Sequence, residues 1–164
     1  MAKVIRSFDP IIDNNSQVLI LGTMPGPESL RKKQYYANPR NQFWKIIYRI
    51  LDERGEPPSD YEERIKFLKE NGIALWDVLE SCEREGANDS KIKNGKPNDF
   101  KTRLRKSPNL RCIFFNGKQA EQCFKKHGCS DLLNPKRLPS TSSANRRMTL
   151  DEKVRCWRVI KDSL

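Results

Sequence analysis

The stretch LILGTMPGPESL, residues 19–30, passes from an apolar segment directly into a turn rich in glycine and proline. The residues that lead into it, QVLIL at 17–21, favour β structure and are bounded by polar residues and Gly22, which predicts a short, fully buried strand. The glycines allow the backbone to come close to a ligand, and the prolines restrict the turn. Taken alone, this composition favours a purely structural turn, because such turns are common in α/β proteins.

The apolar pattern of the rest of the chain predicts strands that alternate with helices. Buried strands are predicted at 73–79 (IALWDVL) and 110–116 (LRCIFFN), and a short extended segment at 137–139. Residues 80–109 are polar and are predicted to form loop with a short helix over 99–106. Helices are predicted from Asn41 to Leu51, from Ser59 to Asn71 with Glu62 in a capping box, over 118–126 with Gly128 as terminator, and over 150–160. This alternation indicates a parallel sheet with helices on both of its faces.

Length and charge restrict the class of protein further. The 164 residues suit one domain, 1–164, which would bury roughly 70% of its unfolded surface. Lysine and arginine number 32 against 21 acidic residues, so the chain carries a formal charge of +11, which favours nucleic acid as a partner, with plain solubility as the alternative. No apolar run approaches the roughly 20 residues of a membrane helix, and the first residues lack a signal-peptide pattern, so a soluble cytoplasmic protein is expected.

Cysteine and histidine give no sign of a metal or redox centre. The five cysteines form no C-x-x-C pair, which argues against a disulfide framework and against a zinc or iron-sulfur site. The single histidine, His127, lies next to a predicted helix end and is expected to be a surface cap residue. A catalytic triad based on histidine therefore has little support.

A second motif, YYANPRNQFW at 35–44, places two aromatics, two amides, a proline and an arginine just before a predicted helix. Folding alone hardly explains such a density of functional groups. With GTMPGPESL, GIALWDVLESCEREGANDSKI, PNDF, IFFNGKQA and LPSTSSAN, this motif makes the chain resemble the uracil-DNA glycosylase superfamily, most closely its hypoxanthine-DNA glycosylase branch. The motifs occur in order over most of residues 17–147.

This resemblance implies a single-domain, three-layer α/β/α sandwich with a central four-stranded parallel sheet, and neither metal nor cofactor. It implies a monofunctional DNA glycosylase of base excision repair, which hydrolyses the N-glycosidic bond of a flipped-out deaminated base and leaves an abasic site. Hypoxanthine is the principal base expected, with xanthine and uracil as further substrates. The expected partner is double-stranded DNA, bound by a monomer.

The catalytic residue implied by the resemblance is Asn41. Mismatch-specific relatives carry asparagine at the third position of G-x-N-P-G to handle the hydrolytic water, but this chain has Met24 there, and a thioether cannot orient water. The hypoxanthine branch is similar in lacking that amide, and its catalytic asparagine matches Asn41 in NPRNQFW. An alternative role for Asn41 is to cap the following helix, and both roles can coexist.

The resemblance also implies a base pocket at the strand ends. Tyr36 is expected to stack on the extruded base, with core packing as the alternative. Asp77, at the end of IALWD, is expected to accept a hydrogen bond from hypoxanthine N1–H, and a structural loop cap is an equally compatible role. Ser29 matches a family serine for which no role can be derived. The other pocket residues implied are Gly22, Thr23, Met24, Pro25 and Gly26.

The motif LPSTSSANRR implies a loop that grips DNA phosphates and inserts a wedge into the minor groove. The alternative is an ordinary loop with solvated arginines. The branch often has proline at the position of Ser143, a departure that concerns loop rigidity. The DNA contacts implied are Ser140, Thr141, Ser142, Asn145, Arg146 and Arg147, and a wider basic face would add Arg31, Lys32, Lys33 and Arg137.

Two other functions remain open at this point. The first is a damaged-DNA-binding protein that keeps the glycosylase fold with weak or no catalysis, which is suggested by Met24. The second is a nucleotide-binding α/β protein whose positive charge is incidental.

Overall fold

The computed structural model describes residues 3–52, 55–127 and 132–164. Its strands are β1 (Val4–Arg6), β2 (Val18–Gly22), β3 (Ile73–Asp77), β4 (Leu79–Glu83), β5 (Lys93–Pro97), β6 (Cys112–Asn116) and β7 (Lys136–Leu138). Its helices are α1 (Pro27–Lys32), α2 (Phe43–Leu51), α3 (Tyr61–Glu70), α4 (Phe100–Arg105), α5 (Lys118–Lys126), α6 (Leu150–Trp157) and α7 (Val159–Asp162), with a short 3₁₀ turn at Asp89–Lys91.

A four-stranded parallel sheet lies at the centre, in the order β3-β2-β6-β7. Side chains alternate between its faces, so that Val18 and Ile20 enter one apolar cluster while Leu19 and Leu21 enter the other. The first cluster is closed by α2, α3, α6 and α7, and the second by α4 and α5. The predicted α/β/α architecture with four parallel strands is therefore confirmed.

A second sheet contradicts the prediction of loop over the first part of 80–109, whereas the short helix predicted over 99–106 is confirmed as α4, with Asp99 as its N-cap. Strands β1, β4 and β5 form an antiparallel sheet in the order β1-β4-β5. The predicted strand 73–79 divides at Val78, where β3 ends and β4 begins. The prediction failed because β5, KNGKP, is exposed and polar and carries no apolar alternation, so only its pairing with β4 makes it a strand.

The helices agree with the prediction except at particular ends. Helix α3 is capped by the Asp60 side chain instead of starting at Ser59, and the predicted C-terminal helix divides at Arg158. Helix α1 was not predicted, because its six residues are too few for a periodic signal. His127 is the C-cap of α5, as expected, whereas Gly128 and Cys129 lie outside the described residues. Within the described ranges, no helix is long and apolar enough to cross a bilayer.

Candidate active site

The motifs YYANPRNQFW (35–44) and LPSTSSANRR (138–147) meet at the carboxyl edge of the parallel sheet, where ligands bind in such folds. Gly22 and Asp77 are paired in register at the ends of β2 and β3. The loop that follows β7 returns to this edge, since Thr141 N–H donates to the Asn116 Oδ1 atom at the end of β6 (2.9 Å). Gln42 N–H donates to the Thr141 carbonyl oxygen (2.9 Å), which connects the YYANPRNQFW motif to this loop.

Asn41 is held by a chain of hydrogen bonds whose direction is determined. Because Asn116 Oδ1 accepts from a backbone N–H, its Nδ2 faces the Thr141 hydroxyl and donates to it (2.9 Å). The Thr141 hydroxyl then donates to Asn41 Oδ1 (2.8 Å), which also accepts from Phe43 N–H (2.9 Å). Both lone pairs of Asn41 Oδ1 are thus occupied.

The Asn41 Nδ2 group is the part of this carboxamide that remains available for a ligand. It donates to no described residue, and it is not among the buried unsatisfied atoms, so solvent reaches it. The N-cap of α2 is Gln42, one residue later, yet Asn41 Oδ1 satisfies the Phe43 N–H at the helix start. The helix-capping role is therefore real, and it leaves the amide hydrogens free to act.

Asp77 is a buried carboxylic acid with an unsatisfied oxygen. The residue is 5% exposed, and its Oδ2 has no hydrogen-bond partner among the described residues. A Cβ atom on Gly22 would lie 2.7 Å from Asp77 Oδ1 and 3.4 Å from the Tyr36 hydroxyl oxygen. Only glycine allows this approach, so the strand end, the carboxyl group and the phenol form one compact group.

Burial controls the ionisation of this group. Desolvation, reinforced by the Asp89 carboxylate and opposed by Arg84, raises the pKa of Asp77 to about 7. Desolvation and the Asp77 charge also raise the pKa of Tyr36 well above its ordinary value, and the Asn116 side chain opposes part of this rise. Near neutral pH, Asp77 is therefore available both as an acid and as an acceptor.

Tyr36 occupies a strained backbone conformation, with φ of +55°. Its ring stacks on Phe43, with centroids 4.0 Å apart and planes at 21°. The expected stacking on an extruded base stays a prediction. Two surface cavities, of about 440 and 340 Å³, lie elsewhere, and neither is lined by Gly22, Tyr36 or Asp77.

The remaining pocket residues support the turn mainly through their backbone. The Thr23 carbonyl oxygen accepts from Leu79 N–H (3.2 Å), and Gly26 is the N-cap of α1. Met24 is 6% exposed and packs in the second apolar cluster, and the Pro25 carbonyl oxygen accepts from Arg84 Nη2 (2.7 Å).

Ser29 has a structural role that the sequence does not reveal. Its side chain is buried, and its hydroxyl oxygen accepts from Ala37 N–H (3.1 Å), which anchors the YYANPR loop to α1.

The LPSTSSANRR motif, residues 138–147, folds into a compact turn in which some of the side-chain hydroxyls accept hydrogen bonds from the turn's own backbone. Ser140 Oγ accepts from Ser142 N–H, and Ser142 Oγ accepts from Ala144 N–H. Thr141 is fully buried and engaged with Asn41, whereas Arg146 and Arg147 are exposed. Asn145 Nδ2 donates to the Ser140 carbonyl oxygen (3.1 Å). DNA contacts by this loop stay a prediction. In the structure, the Thr141 side chain supports Asn41 through the hydrogen bond to Oδ1.

Two supporting residues were missed in the sequence. Asn116 lies at the end of a buried strand, and the rule that ligands gather at strand ends would have selected it. Arg84 has a side chain 1% exposed, pairs with Asp89 at 3.0 Å and clamps Pro25, but no local pattern marks it. Among the described residues, no three His, Cys, Asp or Glu side chains are placed to hold a metal ion.

Comparisons with known proteins identify the family. The family profile described as Uracil DNA glycosylase superfamily matches residues 10–161. A protein named Hypoxanthine DNA glycosylase from Methanosarcina acetivorans is 42% identical over 147 residues, which cover 88% of this chain and 90% of the relative. The protein of the same name from Methanosarcina barkeri is 41% identical over 145 residues, covering 87% and 89%.

A solved structure is similar over nearly the whole chain. It is the solution NMR structure of a proposed uracil DNA glycosylase from Methanosarcina acetivorans, which superposes with a TM-score of 0.78 at 38% identity and covers 96% of both chains. The resemblance inferred from the motifs is thereby confirmed.

Proposed function

The chain belongs to the uracil DNA glycosylase superfamily and is a DNA glycosylase, a hydrolase of N-glycosyl bonds, and on that premise we propose that its principal substrate is deoxyinosine in DNA. Xanthine and uracil are secondary bases in this proposal, and the product is an abasic site. The two relatives that carry the name Hypoxanthine DNA glycosylase support this choice of base.

The observation that carries the proposal is the meeting of two different polar groups at one sheet edge. Asn41 presents amide hydrogens that solvent reaches, and Asp77 presents a buried oxygen, Oδ2, that has no hydrogen-bond partner in the described part of the chain. A buried unsatisfied oxygen costs about 1–3 kcal/mol, so a ligand that donates a hydrogen bond there is favoured. Hypoxanthine N1–H is such a donor, whereas N1 of adenine is an acceptor and meets an ionised carboxylate unfavourably.

The proposed chemistry needs orientation more than a strong nucleophile. Departure of the purine leaves positive charge on the sugar and negative charge on the base, so electrostatic placement dominates. Because Asn41 Oδ1 is already saturated, the amide holds water by donating from Nδ2, and a second lone pair of the water attacks C1′. The C1′–N9 bond breaks with its electron pair going to the base, and the water proton passes to solvent.

Contact with DNA is proposed to involve the 140–147 loop. Arg146 and Arg147 are exposed on a segment tied to the catalytic edge through Thr141, which suits them to bind phosphates beside the flipped nucleotide. We propose double-stranded DNA as the substrate and a monomer as the active form.

An incision assay tests the proposal. Duplexes that contain deoxyinosine, deoxyxanthosine, deoxyuridine or only normal bases are incubated with enzyme and treated with alkali. We expect the strand that contains deoxyinosine to be cleaved fastest. The role of Asn41 is tested separately: Asn41→Ala should lower the single-turnover rate by about a hundredfold or more with little loss of DNA affinity. Asn14→Ala is the matched control, because Asn14 is exposed in a turn and its side chain forms no hydrogen bond or ion pair with the residues that the structure describes.

The second candidate, a damage-binding protein, is favoured by the burial of Met24 in the apolar cluster. It predicts tight binding to deoxyinosine duplexes without abasic product. An active enzyme whose Asn41→Ala variant keeps its rate would instead contradict the proposed role of this residue.

A further inference from the structure

Lys153 is a buried lysine that the proposed function does not use. The residue is 1% exposed and lies on α6, beside the start of α2. One turn further along α6, Trp157 Nε1 donates to the Pro139 carbonyl oxygen, so the same helix also contacts the 139–149 loop. Its ammonium group donates to Gln42 Oε1 at 2.7 Å. Within residues 3–52, 55–127 and 132–164, no carboxylate forms an ion pair with it.

A buried ammonium group whose partner is a neutral amide is expected to lower the stability of the fold. A buried ammonium group loses its hydration, which lowers the pKa of Lys153, and a neutral amide oxygen compensates less than a carboxylate does. The nearby start of α2 carries the positive end of the helix dipole, so the dipole adds to the cost. A methionine of similar volume would fill the same space without these penalties, so the stability of the core does not explain a lysine.

A series of three hydrogen bonds connects Lys153 to Asn41, through Gln42 and Thr141. Gln42, its partner, is the N-cap of α2, and Gln42 N–H donates to the Thr141 carbonyl oxygen. The Thr141 hydroxyl in turn holds Asn41 Oδ1. Resting on the proposed function, we propose that Lys153 is a positioning residue, which locks the α2 start onto the 139–149 loop through Gln42 and thereby fixes the orientation of the Asn41 carboxamide.

The test compares Lys153→Met with wild type in three measurements. We expect a melting temperature that is unchanged or raised, a single-turnover excision rate lowered about tenfold to a hundredfold, and DNA affinity within a few fold of wild type. Lys153→Arg should restore part of the rate. Lys161→Met is the matched control, since Lys161 is exposed on α7 and should change none of these.

A double variant tests the route through Gln42. If Lys153 acts through that side chain, Lys153→Met combined with Gln42→Met should excise no more slowly than the slower single variant. Additive losses of rate would overturn the route. A Lys153→Met variant that keeps the wild-type rate, or one whose rate falls only as its melting temperature falls, would overturn the proposal itself.

A readout without catalysis separates this inference from the proposed function. The side-chain amide resonances of Asn41 should shift in Lys153→Met and stay in place in Lys161→Met. If wild-type enzyme excises no base, the proposed function fails, and unshifted Asn41 resonances in Lys153→Met would then refute the positioning role as well.

Discussion

The Thr141 hydroxyl donates a hydrogen bond of 2.8 Å to Asn41 Oδ1, joining two residues that are 100 positions apart in the chain. The same hydroxyl accepts from Asn116 Nδ2, so it connects the motif before α2 with the end of β6. Its direction decides the chemistry of Asn41, because a saturated carbonyl oxygen leaves only amide hydrogens to face a ligand. Under the proposed function, Thr141 therefore determines which group of Asn41 holds the water.

Thr141→Val removes the hydroxyl and keeps the shape of the side chain. Asn116 Nδ2 loses its acceptor and Asn41 Oδ1 loses a donor, so we expect a stability loss of about 1–3 kcal/mol. We also expect excision of hypoxanthine to slow by about tenfold to a hundredfold, because the carboxamide is free to rotate. Single-turnover rates and thermal unfolding measure the two effects.

Thr141→Ser is the matched control, since it keeps the hydroxyl and should retain most of the rate. If DNA affinity falls in Thr141→Val as much as the rate does, a direct phosphate contact by Thr141 would be favoured over its role as a support of Asn41.

The parts of the candidate site that lie in continuous motifs at strand ends could be predicted from the sequence. Gly22 and Asp77 end apolar strands, so the α/β pattern brings them to one edge, whereas Asn41 precedes α2 and was selected only through the resemblance to the family. The antiparallel sheet was missed because Lys93–Pro97 becomes a strand only through pairing with β4. Lys153 was likewise invisible, since its burial depends on the packing of α6 against α2 and not on any local pattern.

Gly22→Ala should damage the base site while Gly26→Ala does not. A Cβ on Gly22 would lie 2.7 Å from Asp77 Oδ1, closer than any normal contact, so the carboxyl group must move. Apart from its two chain neighbours, no described residue has an atom within 4 Å of a Cβ built on Gly26, in the same turn. We expect excision to fall about tenfold or more for Gly22→Ala and to change little for Gly26→Ala. Equal rates in the two variants would show that Asp77 takes no part in the reaction.

Asp77→Asn should alter how stability depends on pH. The folded pKa of Asp77, about 7, is above the unfolded value, so the native state binds the proton more tightly. Stability from this group is therefore fully present at low pH and is lost as pH rises from about 4 to about 7, at about 1.4 kcal/mol per pH unit at most. The asparagine variant has no such proton, and we expect it to gain stability over wild type at pH 8 relative to pH 5.

Chemical denaturation at a series of pH values measures this difference. Asp162→Asn is the control, because Asp162 is exposed at the end of α7. If wild type and Asp77→Asn lose stability in parallel between pH 5 and 8, the buried carboxyl group is not the cause of the pH dependence.

Arg146→Gln with Arg147→Gln should weaken DNA binding in a manner that depends on salt. Both side chains are exposed on the loop that Thr141 joins to the carboxyl edge of the parallel sheet, and the proposed function assigns each of them to a DNA phosphate. The slope of log K against log salt is negative, and each lost phosphate contact makes it less steep by about 0.9. The slope of the double variant should therefore be less steep than that of wild type by up to about 1.8. Fluorescence anisotropy on undamaged and deoxyinosine duplexes measures the slope, and the loss should be the same for both.

Lys69→Gln with Lys161→Gln removes the same charge near the opposite edge, beside the start of β3 and near the chain end, and should leave the slope unchanged. A slope that falls equally in both double variants would mean that net charge, and not this loop, attracts the DNA.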